Sequence, residues 1–422
     1  MAGPLRAVST GPRGRIIVLT GARQTGKSTL LKGLFPDYQY INLDDPLVRS
    51  QYLEQSYASL ARFFPKAIWD EVQKAPELVE KIKAAHDSDP ATRFILSGSS
   101  QILLLRNVRE TLAGRAALFN LFPLTIPEAL AKSDALDGDV GASRLVQSAA
   151  SLSDGASQSD IFKNLRPMMP DQAGYVDAEA AFEEYLSYGG MPFLSMERLT
   201  QDDKRGWLRD YVRTYLQRDL ADLAQLNHLE PFFKAEKLLA IRTGSLLNFS
   251  EAARTVGIST DSMRRYMTYL EISFQAFLLP SWQRNPAKHL TKTPRIHFLD
   301  PGVCRTLTGN FESTDGGFFE SAVCAEIYKQ VQYAFPDWSL HHLRTADGRE
   351  VDMLIETPRG YIALEIKMAA TAAQSQTRHF RGLEGLLDKP LLGGFLLTRD
   401  RTQRYFPETN TLALPAFIAL AP

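Results

Sequence analysis

The segment Gly21–Thr29, GARQTGKST, most constrains the fold of this chain, because it matches the pattern G-x-x-x-x-G-K-[ST]. The apolar run Arg15–Thr20, RIIVLT, precedes the segment, and the helical pattern Ser28–Phe35, STLLKGLF, follows it. A strand, a glycine-rich loop and a helix in this order are typical of an α/β fold. The sequence therefore predicts a loop at the end of a sheet strand, directly before a helix.

The residue types in this segment suit a bound phosphate chain. Gly21 and Gly26 let the backbone curl so that successive N–H groups point at phosphate oxygens, and the following helix adds the positive end of its dipole. We expect Lys27 to reach the β- and γ-phosphates of a nucleotide and the Ser28 hydroxyl to bind Mg²⁺. The predicted nucleotide-binding residues are Gly21, Ala22, Arg23, Gln24, Thr25, Gly26, Lys27, Ser28 and Thr29.

Three further apolar runs, Tyr38–Leu43, Ala67–Asp70 and Arg93–Ser97, alternate with helical patterns and predict the other strands of a parallel sheet. Ligands bind beyond the carboxyl ends of the strands in such sheets. We therefore expect Asp70 to hold Mg²⁺ through water and Glu71 to orient and polarise an attacking water. Without the phosphate loop, the same two acids would be equally typical of the start of a surface loop.

Hydroxyl and guanidinium groups follow the predicted strand Arg93–Ser97. Ser97, Ser99 and Ser100 cluster at its end, and Ser99 is predicted to contact the γ-phosphate, with a turn of small residues as the alternative. Arg115 is predicted to stabilise the transition state from a neighbouring subunit. The alternative for Arg115 is a solvated charge on a helix.

Residues 249–270 carry the punctuation of a helix-turn-helix unit. Ser250 is predicted to cap its first helix, and Ser259 or Thr260 its second helix. The apolar runs FLLPSW and RIHFLD enclose residues 283–294, a basic loop without acids that is typical of a wing. A winged helix used only for packing, or for contact with an ATPase domain, is the alternative to DNA binding. The predicted DNA contacts are Arg264, Arg265, Arg284, Lys288 and Lys292.

A second group of charged residues lies near the end of the chain. Arg349–Glu356 and Tyr361–Lys367 predict the two strands of a hairpin. Because side chains alternate along a strand, Glu365 and Lys367 face the same side. A register that brings Asp352 beside Glu365 sets two carboxylates and an ammonium on one surface, and such a group can hold Mg²⁺.

This arrangement resembles the core of the PD-(D/E)xK nucleases. The resemblance implies that Glu320 is the acid on the preceding helix, that Asp352 and Glu365 are metal ligands, and that Lys367 is the catalytic cation. Three interpretations stay open: an active metal nuclease, a nuclease fold that no longer cuts and only binds DNA or a partner, and a plain charged hairpin.

Four segments near the N-terminus together resemble the AAA-type domain of a large prokaryotic family whose members carry a C-terminal domain long described as of unknown function. These segments are GARQTGKST (21–29), WDEVQKAPEL (69–78), FILSGSSQILLL (94–105) and LAGRAALFNLFPLTIPEAL (112–130). The segments YGGMPF (188–193), YLQRDL (215–220), REVDMLIE (349–356) and ALEIK (363–367) fit the same family. The resemblance implies ATP binding and hydrolysis, and it leaves the cellular role open.

Composition limits the remaining possibilities. The 422 residues suffice for about three domains, and the balance of 48 basic and 48 acidic residues excludes a uniformly basic nucleic-acid coat. Two cysteines, Cys304 and Cys324, argue against a disulfide scaffold. The sequence contains no run of 18 apolar residues, so no membrane span is predicted. The first 15 residues lack the apolar core of a signal peptide. We therefore expect a cytoplasmic protein without a membrane partner.

The predicted fold class is α/β, with a P-loop AAA-type domain built on a parallel sheet, a helical and winged-helix middle region, and a C-terminal PD-(D/E)xK-like α/β domain. The predicted boundaries are 1–131 for the ATPase domain, 132–176 for a flexible insert or linker rich in Ala, Ser and Asp, 177–248 for a helical region, 249–300 for the winged helix-turn-helix and 301–422 for the nuclease-like domain.

The predicted function is that of a Mg²⁺-dependent ATPase that converts ATP to ADP and phosphate and is coupled to DNA binding or processing. The alternative is a nucleotide-controlled switch or interaction protein with little turnover and a nuclease fold that does not cut. The expected cofactors are ATP and Mg²⁺. The candidate partners are ATP, DNA, and a second copy of the chain or another protein.

Overall fold

The computed structural model describes residues 1–10, 16–98, 111–131, 141–165, 172–196, 198–216, 229–285 and 292–422. Its N-terminal part contains the strands β1 (Ile16–Gly21), β2 (Gln39–Asn42), β3 (Lys66–Asp70), β4 (Arg93–Gly98) and β5 (Ala116–Leu121). They form one sheet in the order β2-β3-β4-β1-β5, and every neighbouring pair is parallel. The predicted parallel sheet is therefore confirmed. The helices of this part are α1 (Ala2–Thr10), α2 (Lys27–Leu34), α3 (Pro46–Glu54), α4 (Tyr57–Phe63) and α5 (Pro76–Ser88).

The side chains of β1 explain why this sheet is buried on both faces. Ile16 and Val18 pack into one hydrophobic core, which also contains Trp69. Ile17 and Leu19 pack into a second core on the opposite face. Because all four strand residues are apolar and nearly inaccessible to solvent, helices must cover both faces of the sheet. The strand that carries the glycine-rich loop is thus fixed from both sides.

Helices dominate the middle of the chain. In order they are α6 (Ile126–Leu130), α7 (Arg144–Ser153), α8 (Gln158–Leu165), α9 (Gln172–Tyr188), α10 (Pro192–Met196), α11 (Gln201–Tyr211) and α12 (Glu230–Ile241). A π-helical turn, Val212–Leu216, continues α11. Within the described ranges, no helix combines the length and the apolar character that crossing a membrane requires.

The segment predicted to be a flexible insert, or at best short weak helices, contains the helices α7 and α8. Leu145, Val146, Ala149 and Leu152 of α7 are buried in the same hydrophobic core as the C-terminal sheet. Their spacing is that of one helix face, and small Ser and Ala residues let this face approach the sheet closely. The low content of aromatic residues therefore concealed a packed helix.

The predicted helix-turn-helix region contains two helices followed by a two-stranded antiparallel sheet. Gly257 ends the first helix with a φ of 79°, a conformation that favours glycine. The N-cap of the first helix is Asn248 rather than the predicted Ser250, because the Asn248 side chain accepts hydrogen bonds from two backbone N–H groups. Ser259 caps the second helix. The elements are α13 (Phe249–Val256), α14 (Thr260–Ile272), β6 (Ala276–Leu279) and β7 (Arg295–Phe298).

A six-stranded mixed sheet forms the C-terminal part. Its helices are α15 (Pro301–Thr308), α16 (Gly316–Ala334) and α17 (Ala416–Ala419). Its strands are β8 (Ser339–Arg344), β9 (Glu350–Glu356), β10 (Tyr361–Ile366), β11 (Leu391–Thr398), β12 (Arg404–Phe406) and β13 (Thr411–Pro415). They lie in the order β12-β13-β11-β10-β9-β8. The pairs β8–β9, β9–β10 and β12–β13 are antiparallel, and β10–β11 and β11–β13 are parallel.

Main-chain hydrogen bonds join the hairpin β6–β7 to the C-terminal sheet. The N–H of Trp282 donates to the carbonyl oxygen of His342 at 2.7 Å, and the N–H of His342 donates to the carbonyl oxygen of Pro280 at 2.9 Å. The residues that follow β6 therefore continue along β8, and the helix-turn-helix region is attached to the edge of this sheet.

Helix α16 also holds the N-terminal domain through a buried ion pair. Glu326 and Lys329 are completely buried, with 2.8 Å between Oε2 and Nζ. Glu326 Oε1 accepts a hydrogen bond from the N–H of Ile126 at 2.7 Å, and Lys329 Nζ donates to the carbonyl oxygen of Leu124 at 3.0 Å. The segment that leaves β5 is thus bound directly to α16.

Candidate functional site

The glycine-rich loop leaves β1 at Gly21 and enters α2 at Lys27. Gln24 and Gly26 have positive φ angles of 60° and 87°, so the backbone curls in the left-handed region, as an anion-binding loop requires. A Cβ at Gly21 would lie 2.3 Å from the carbonyl oxygen of Leu121. Glycine is therefore required at Gly21 by close packing and at Gly26 by backbone conformation.

The Lys27 ammonium lies at this loop. The residue is 7% exposed, and Nζ donates to the carbonyl oxygens of Gly21 at 2.9 Å and Ala22 at 2.7 Å. The Thr25 hydroxyl donates to the same carbonyl of Ala22 at 2.8 Å. These contacts keep a buried positive charge among the curled backbone groups, where an anion can be held.

Ser28 and Asp70 meet beside the loop, although 42 positions separate them in the chain. Ser28 Oγ donates to Asp70 Oδ2 at 2.5 Å, and the Tyr40 hydroxyl donates to the same oxygen at 2.5 Å. Burial, and next the hydrogen bond to Asp70, raises the pKa of the Tyr40 hydroxyl, which therefore stays a donor. Hydroxyl and carboxylate oxygens are the ligands that Mg²⁺ prefers, so Ser28 and Asp70 fit a magnesium ion. Tyr40 carries no motif, and the sequence did not single it out.

Glu71 lies next to this pair, at the point where β3 ends. Its φ is 56°, so the chain turns sharply there. The Glu71 N–H donates to Asp70 Oδ1 at 3.1 Å, and its carboxylate accepts from Gln73 Nε2. The structure thus brings both predicted acids to the loop side of the sheet.

The hydroxyl group at the end of β4 that the structure describes is that of Ser97. It is fully buried, and its oxygen has no hydrogen-bond partner among the described residues. Ser97 pairs in register with Leu19 of β1, two residues before the loop begins. Ser99, the residue predicted to contact the γ-phosphate, lies outside the described residues.

Arg115 and the loop of its own chain lie at opposite ends of the sheet strands. Its carbonyl oxygen accepts from the N–H of Ile16, at the start of β1, whereas the loop follows the end of β1. The six residues of β1 separate the two positions by roughly 20 Å. Arg115 Nε donates to Asp87 Oδ1 at 2.6 Å in an exposed ion pair. A contact between Arg115 and a nucleotide must therefore involve another subunit, and this role stays a prediction.

Residues from the middle of the chain cover the loop. A Cβ at Gly26 would lie 3.9 Å from Cγ of Pro192, and the Tyr211 hydroxyl donates to the carbonyl oxygen of Arg23 at 3.1 Å. The Trp207 ring stacks on the Tyr211 ring, with 5.2 Å between centroids. Sequence analysis recognised YGGMPF as part of a family pattern but did not place it at the loop.

Two adjacent glycines fix the approach of this covering segment. A Cβ at Gly190 would lie 2.2 Å from the carbonyl oxygen of Leu124, and a Cβ at Gly189 would lie 2.0 Å from Asp300 Oδ1. The Gly190 N–H donates to Asp300 Oδ2 at 2.8 Å, and its carbonyl accepts from the N–H of Leu124 at 2.7 Å. A larger side chain at Gly190 would force the segment away from Leu124 of the N-terminal domain, and one at Gly189 would force it away from Asp300.

A second charged site lies in the C-terminal part, where the structure brings Asp352, Glu365 and Lys367 together. Asp352 and Glu365 are 3% and 4% exposed. Lys367 Nζ lies 3.1 Å from Asp352 Oδ2 and 2.7 Å from Glu365 Oε1. The N–H of Ile366 also donates to Asp352 Oδ2 at 2.9 Å. Burial, and next the charge of Asp352, raises the pKa of the Glu365 carboxyl.

Arg295 of β7 completes this site, and sequence analysis missed it. Its guanidinium donates to Glu320 through Nη1 and to Glu350 through Nη2, and Nη1 lies 3.7 Å from Asp352 Oδ1. Burial by itself lowers the pKa of Arg295, but the three carboxylates raise it overall. Burial, and next the charge of Asp352, raises the pKa of Glu320. Arg295 lies 25 residues or more from these acids in the chain, so no local pattern could have identified it.

The predicted DNA contacts that the structure describes lie on α14 and beside the hairpin β6–β7. Arg264 and Arg265 are exposed on α14, and the Arg264 guanidinium lies 4.5 Å from the centroid of the Phe249 ring. Arg284 and Lys292 line a cleft of about 640 Å³ between the hairpin and the C-terminal sheet. Arg344 also lines this cleft, and its described lining residues include no acid. Lys288 lies outside the described residues.

Comparison with known protein families finds three matches along the chain. Residues 13–130 match a family described as "AAA domain". Residues 179–314 match "Domain of unknown function (DUF8612)", and residues 315–417 match "Domain of unknown function (DUF4143)". Together with the loop geometry, the first match supports a P-loop AAA-type domain in the first third of the chain.

Similar proteins occur in mycobacteria and archaea. The uncharacterized proteins Rv2008c of Mycobacterium tuberculosis and Mb2031c of Mycobacterium bovis are each 25% identical over 376 residues, covering 86% of this chain and 73% of theirs. The Walker-type ATPase PABY2304 of Pyrococcus abyssi is 14% identical, with a TM-score of 0.39 over 72% of this chain and 93% of that chain. The ORC2 protein of Aeropyrum pernix, in ADPNP–ADP complexes, is 14% identical, with a TM-score of 0.24 over 74% of this chain and 92% of that chain.

Proposed function

We propose that this chain is a Mg²⁺-dependent ATPase that hydrolyses ATP to ADP and phosphate in its N-terminal domain and couples turnover to DNA binding. The observation that carries the proposal is the hydrogen bond between Ser28 and Asp70 beside the buried ammonium of Lys27. It joins the end of the loop to the end of β3, which is the arrangement that a Mg²⁺–nucleotide complex needs.

Each residue of the site has a chemical task in this proposal. The backbone N–H groups of the loop and the Lys27 ammonium bind phosphate oxygens. Ser28 and Asp70 hold Mg²⁺, which would neutralise charge on the phosphates. Glu71 orients and polarises the attacking water. Arg115 of a neighbouring subunit stabilises the charge of the transition state.

The proposed DNA contact rests on the region α13–α14–β6–β7, which we interpret as a winged helix. In such a unit the second helix enters the major groove and the hairpin loop contacts phosphates. Arg264 and Arg265 are exposed on the second helix, and Arg284 and Lys292 follow and precede the hairpin strands. The net charge of zero requires these contacts to be local, and their grouping on one region supports this interpretation.

A second candidate is a nucleotide-controlled switch with little turnover and a nuclease-like domain that does not cut. The observation that favours it is the guanidinium of Arg295, which contacts the carboxylates of the proposed nuclease site. A nuclease-like domain that does not cut would respond to the bound nucleotide only through its contacts with the rest of the protein.

Steady-state ATPase assays with and without duplex DNA test the two candidates. We expect Mg²⁺-dependent hydrolysis that DNA stimulates, and we expect Lys27→Ala and Asp70→Asn to abolish it. Lys234→Ala serves as the control, because Lys234 is a largely exposed lysine on α12. Nucleotide binding with negligible turnover would support the switch. A Lys27→Ala variant that still binds and hydrolyses ATP would refute both candidates.

Cleavage assays with Mg²⁺ or Mn²⁺ address the C-terminal domain separately. Cutting by the wild type that is lost in Asp352→Ala and Lys367→Ala would identify an active nuclease. Intact DNA under all these conditions would support the domain that only binds.

A further inference from the structure

The PD-(D/E)xK resemblance implies a divalent metal ion at Glu320, Asp352 and Glu365, and the structure provides a test of whether these residues fit one. A metal site of this kind needs carboxylate oxygens that converge on one point and face the metal ion rather than a competing cation. Among the described residues, no group of three or more acidic, histidine or cysteine side chains is arranged to hold a metal ion.

The contacts of the individual oxygens explain why. Asp352 Oδ2 accepts from the N–H of Ile366 and from Lys367, and Asp352 Oδ1 faces the Arg295 guanidinium. Glu365 Oε1 binds Lys367. Of the carboxylate oxygens that face this point, Glu365 Oε2 is buried without a hydrogen-bond partner among the described residues. Lys367 and Arg295 thus already contact all three of the carboxylates that the metal ion would use.

Arg295 is held at this point by its strand. The residue is 6% exposed and lies at the start of β7, opposite Leu279 of β6, and it also forms a bridge to Leu246. Moving the guanidinium out of the cluster would separate the positive charge from its carboxylate partners, and it would leave the buried carboxylates of Glu320 and Asp352 without this cation. Both consequences are costly in a buried site.

We propose that Arg295 is a resident cation that takes the place of the divalent metal ion, so that the C-terminal carboxylate cluster binds neither Mg²⁺ nor Mn²⁺ in the native protein. Its guanidinium instead fastens the hairpin strand β7 to α16 and β9 through Glu320, Glu350 and Asp352. The cluster is thus a latent metal site that one substitution should open. This proposal does not depend on ATP hydrolysis.

Titration of Mn²⁺ into nucleotide-free, full-length protein, followed by electron paramagnetic resonance and calorimetry, tests the proposal. All proteins carry Asp70→Asn, so that the N-terminal site loses its proposed carboxylate ligand and the outcome is independent of the ATPase proposal. We expect the parent protein to bind no Mn²⁺ at the cluster. Arg295→Ala should gain one Mn²⁺ site per chain, with a dissociation constant of roughly 0.1–1 mM, as for weak oxygen sites.

Three further variants show where the metal binds. Adding Asp352→Asn to Arg295→Ala should remove the new site, and Arg295→Lys, which keeps a cation, should not create one. Arg264→Ala removes an exposed arginine and should bind no metal. The melting temperature of Arg295→Ala should rise with Mn²⁺, because a ligand of the folded state stabilises it, whereas that of the parent should not change.

Two results would overturn the proposal. One is Mn²⁺ binding by the parent protein that disappears in Asp352→Asn. The other is a folded Arg295→Ala protein that binds no Mn²⁺. If Arg295→Ala folds neither with nor without Mn²⁺, the parent and its Asp352→Asn variant still decide the question: no site in the parent supports a resident cation, and a site lost in Asp352→Asn refutes it.

Discussion

Substituting Lys329 by Met would leave the carboxylate of Glu326 buried without its countercharge. Both side chains of this pair are fully buried, and Lys329 Nζ also donates to Leu124, while its ammonium lies 4.6 Å from the centroid of the Tyr185 ring. Breaking a buried ion pair by removing one partner costs about 3–5 kcal/mol. Because the pair binds the segment that leaves β5, we expect the loss of stability to be largest where the N-terminal domain meets α16.

Hydrogen exchange of the α16 peptides measures this cost locally, and thermal melting measures it for the whole chain. In Lys329→Met we expect α16 to exchange faster and the chain to melt at a lower temperature. The double variant Glu326→Gln/Lys329→Met removes both charges, so it should cost about 1–3 kcal/mol less than the sum of the single variants. The control is Lys163→Met, because Lys163 and Asp160 form an exposed pair with the same i,i+3 spacing.

The reasoning would be wrong if α16 exchanged at the same rate in Lys329→Met and in the wild type. It would also be wrong if the double variant cost the full sum, because the two charges would then act independently. The control should change stability by less than about 0.5 kcal/mol.

Three further substitutions have defined outcomes. Gly190→Ala should destabilise the chain by about 1–3 kcal/mol in thermal melting, because its Cβ would lie 2.2 Å from a carbonyl oxygen. The control Gly385→Ala should not destabilise the chain, because a Cβ at that position meets open space among the described residues. Equal melting temperatures of the two variants would contradict this prediction. Tyr40→Phe removes one hydrogen bond to Asp70 and should weaken Mg²⁺-ATP affinity roughly fivefold in ATPase titrations. An unchanged Mg²⁺ dependence would argue against Asp70 as the proposed metal ligand. Burial raises the pKa of Glu236 from 4.5 to about 8, so its contribution to stability is present below about pH 4.5 and is lost as the pH rises to about 8. Glu236→Gln should therefore have a higher melting temperature than the wild type at pH 8, and this difference should vanish towards pH 5. A difference in melting temperature that does not change with pH would refute the assignment.

The N-terminal sheet could be predicted because the patterns that indicate its strands lie within short segments of the sequence. Each strand is a short apolar run, and the motif that begins at Gly21 specifies both its neighbours in the chain and its place at the end of a strand. The position of Asp70 followed from the rule that ligands bind at the carboxyl ends of parallel strands. The hydrogen bond from Ser28 to Asp70 agrees with that expectation.

Contacts between distant segments could not be predicted in the same way. Arg295 looks like an ordinary strand residue in RIHF, and only the packing of β7 against α16 and β9 gives it Glu320 and Glu350 as partners. Tyr40 similarly acquires its role from the order of β2 and β3 in the sheet. Residues 144–153 were expected to form at best a short weak helix, because composition was weighed above the spacing of the few large apolar residues in this segment.

The attachment of the hairpin to the C-terminal sheet has a mechanical consequence. Backbone pairing at His342 and the Arg295 guanidinium both hold the end of the hairpin at which Leu279 pairs with Arg295. The helix-turn-helix therefore cannot swing alone. A movement of the C-terminal sheet would carry the helix-turn-helix with it, and a movement of the helix-turn-helix would carry the sheet.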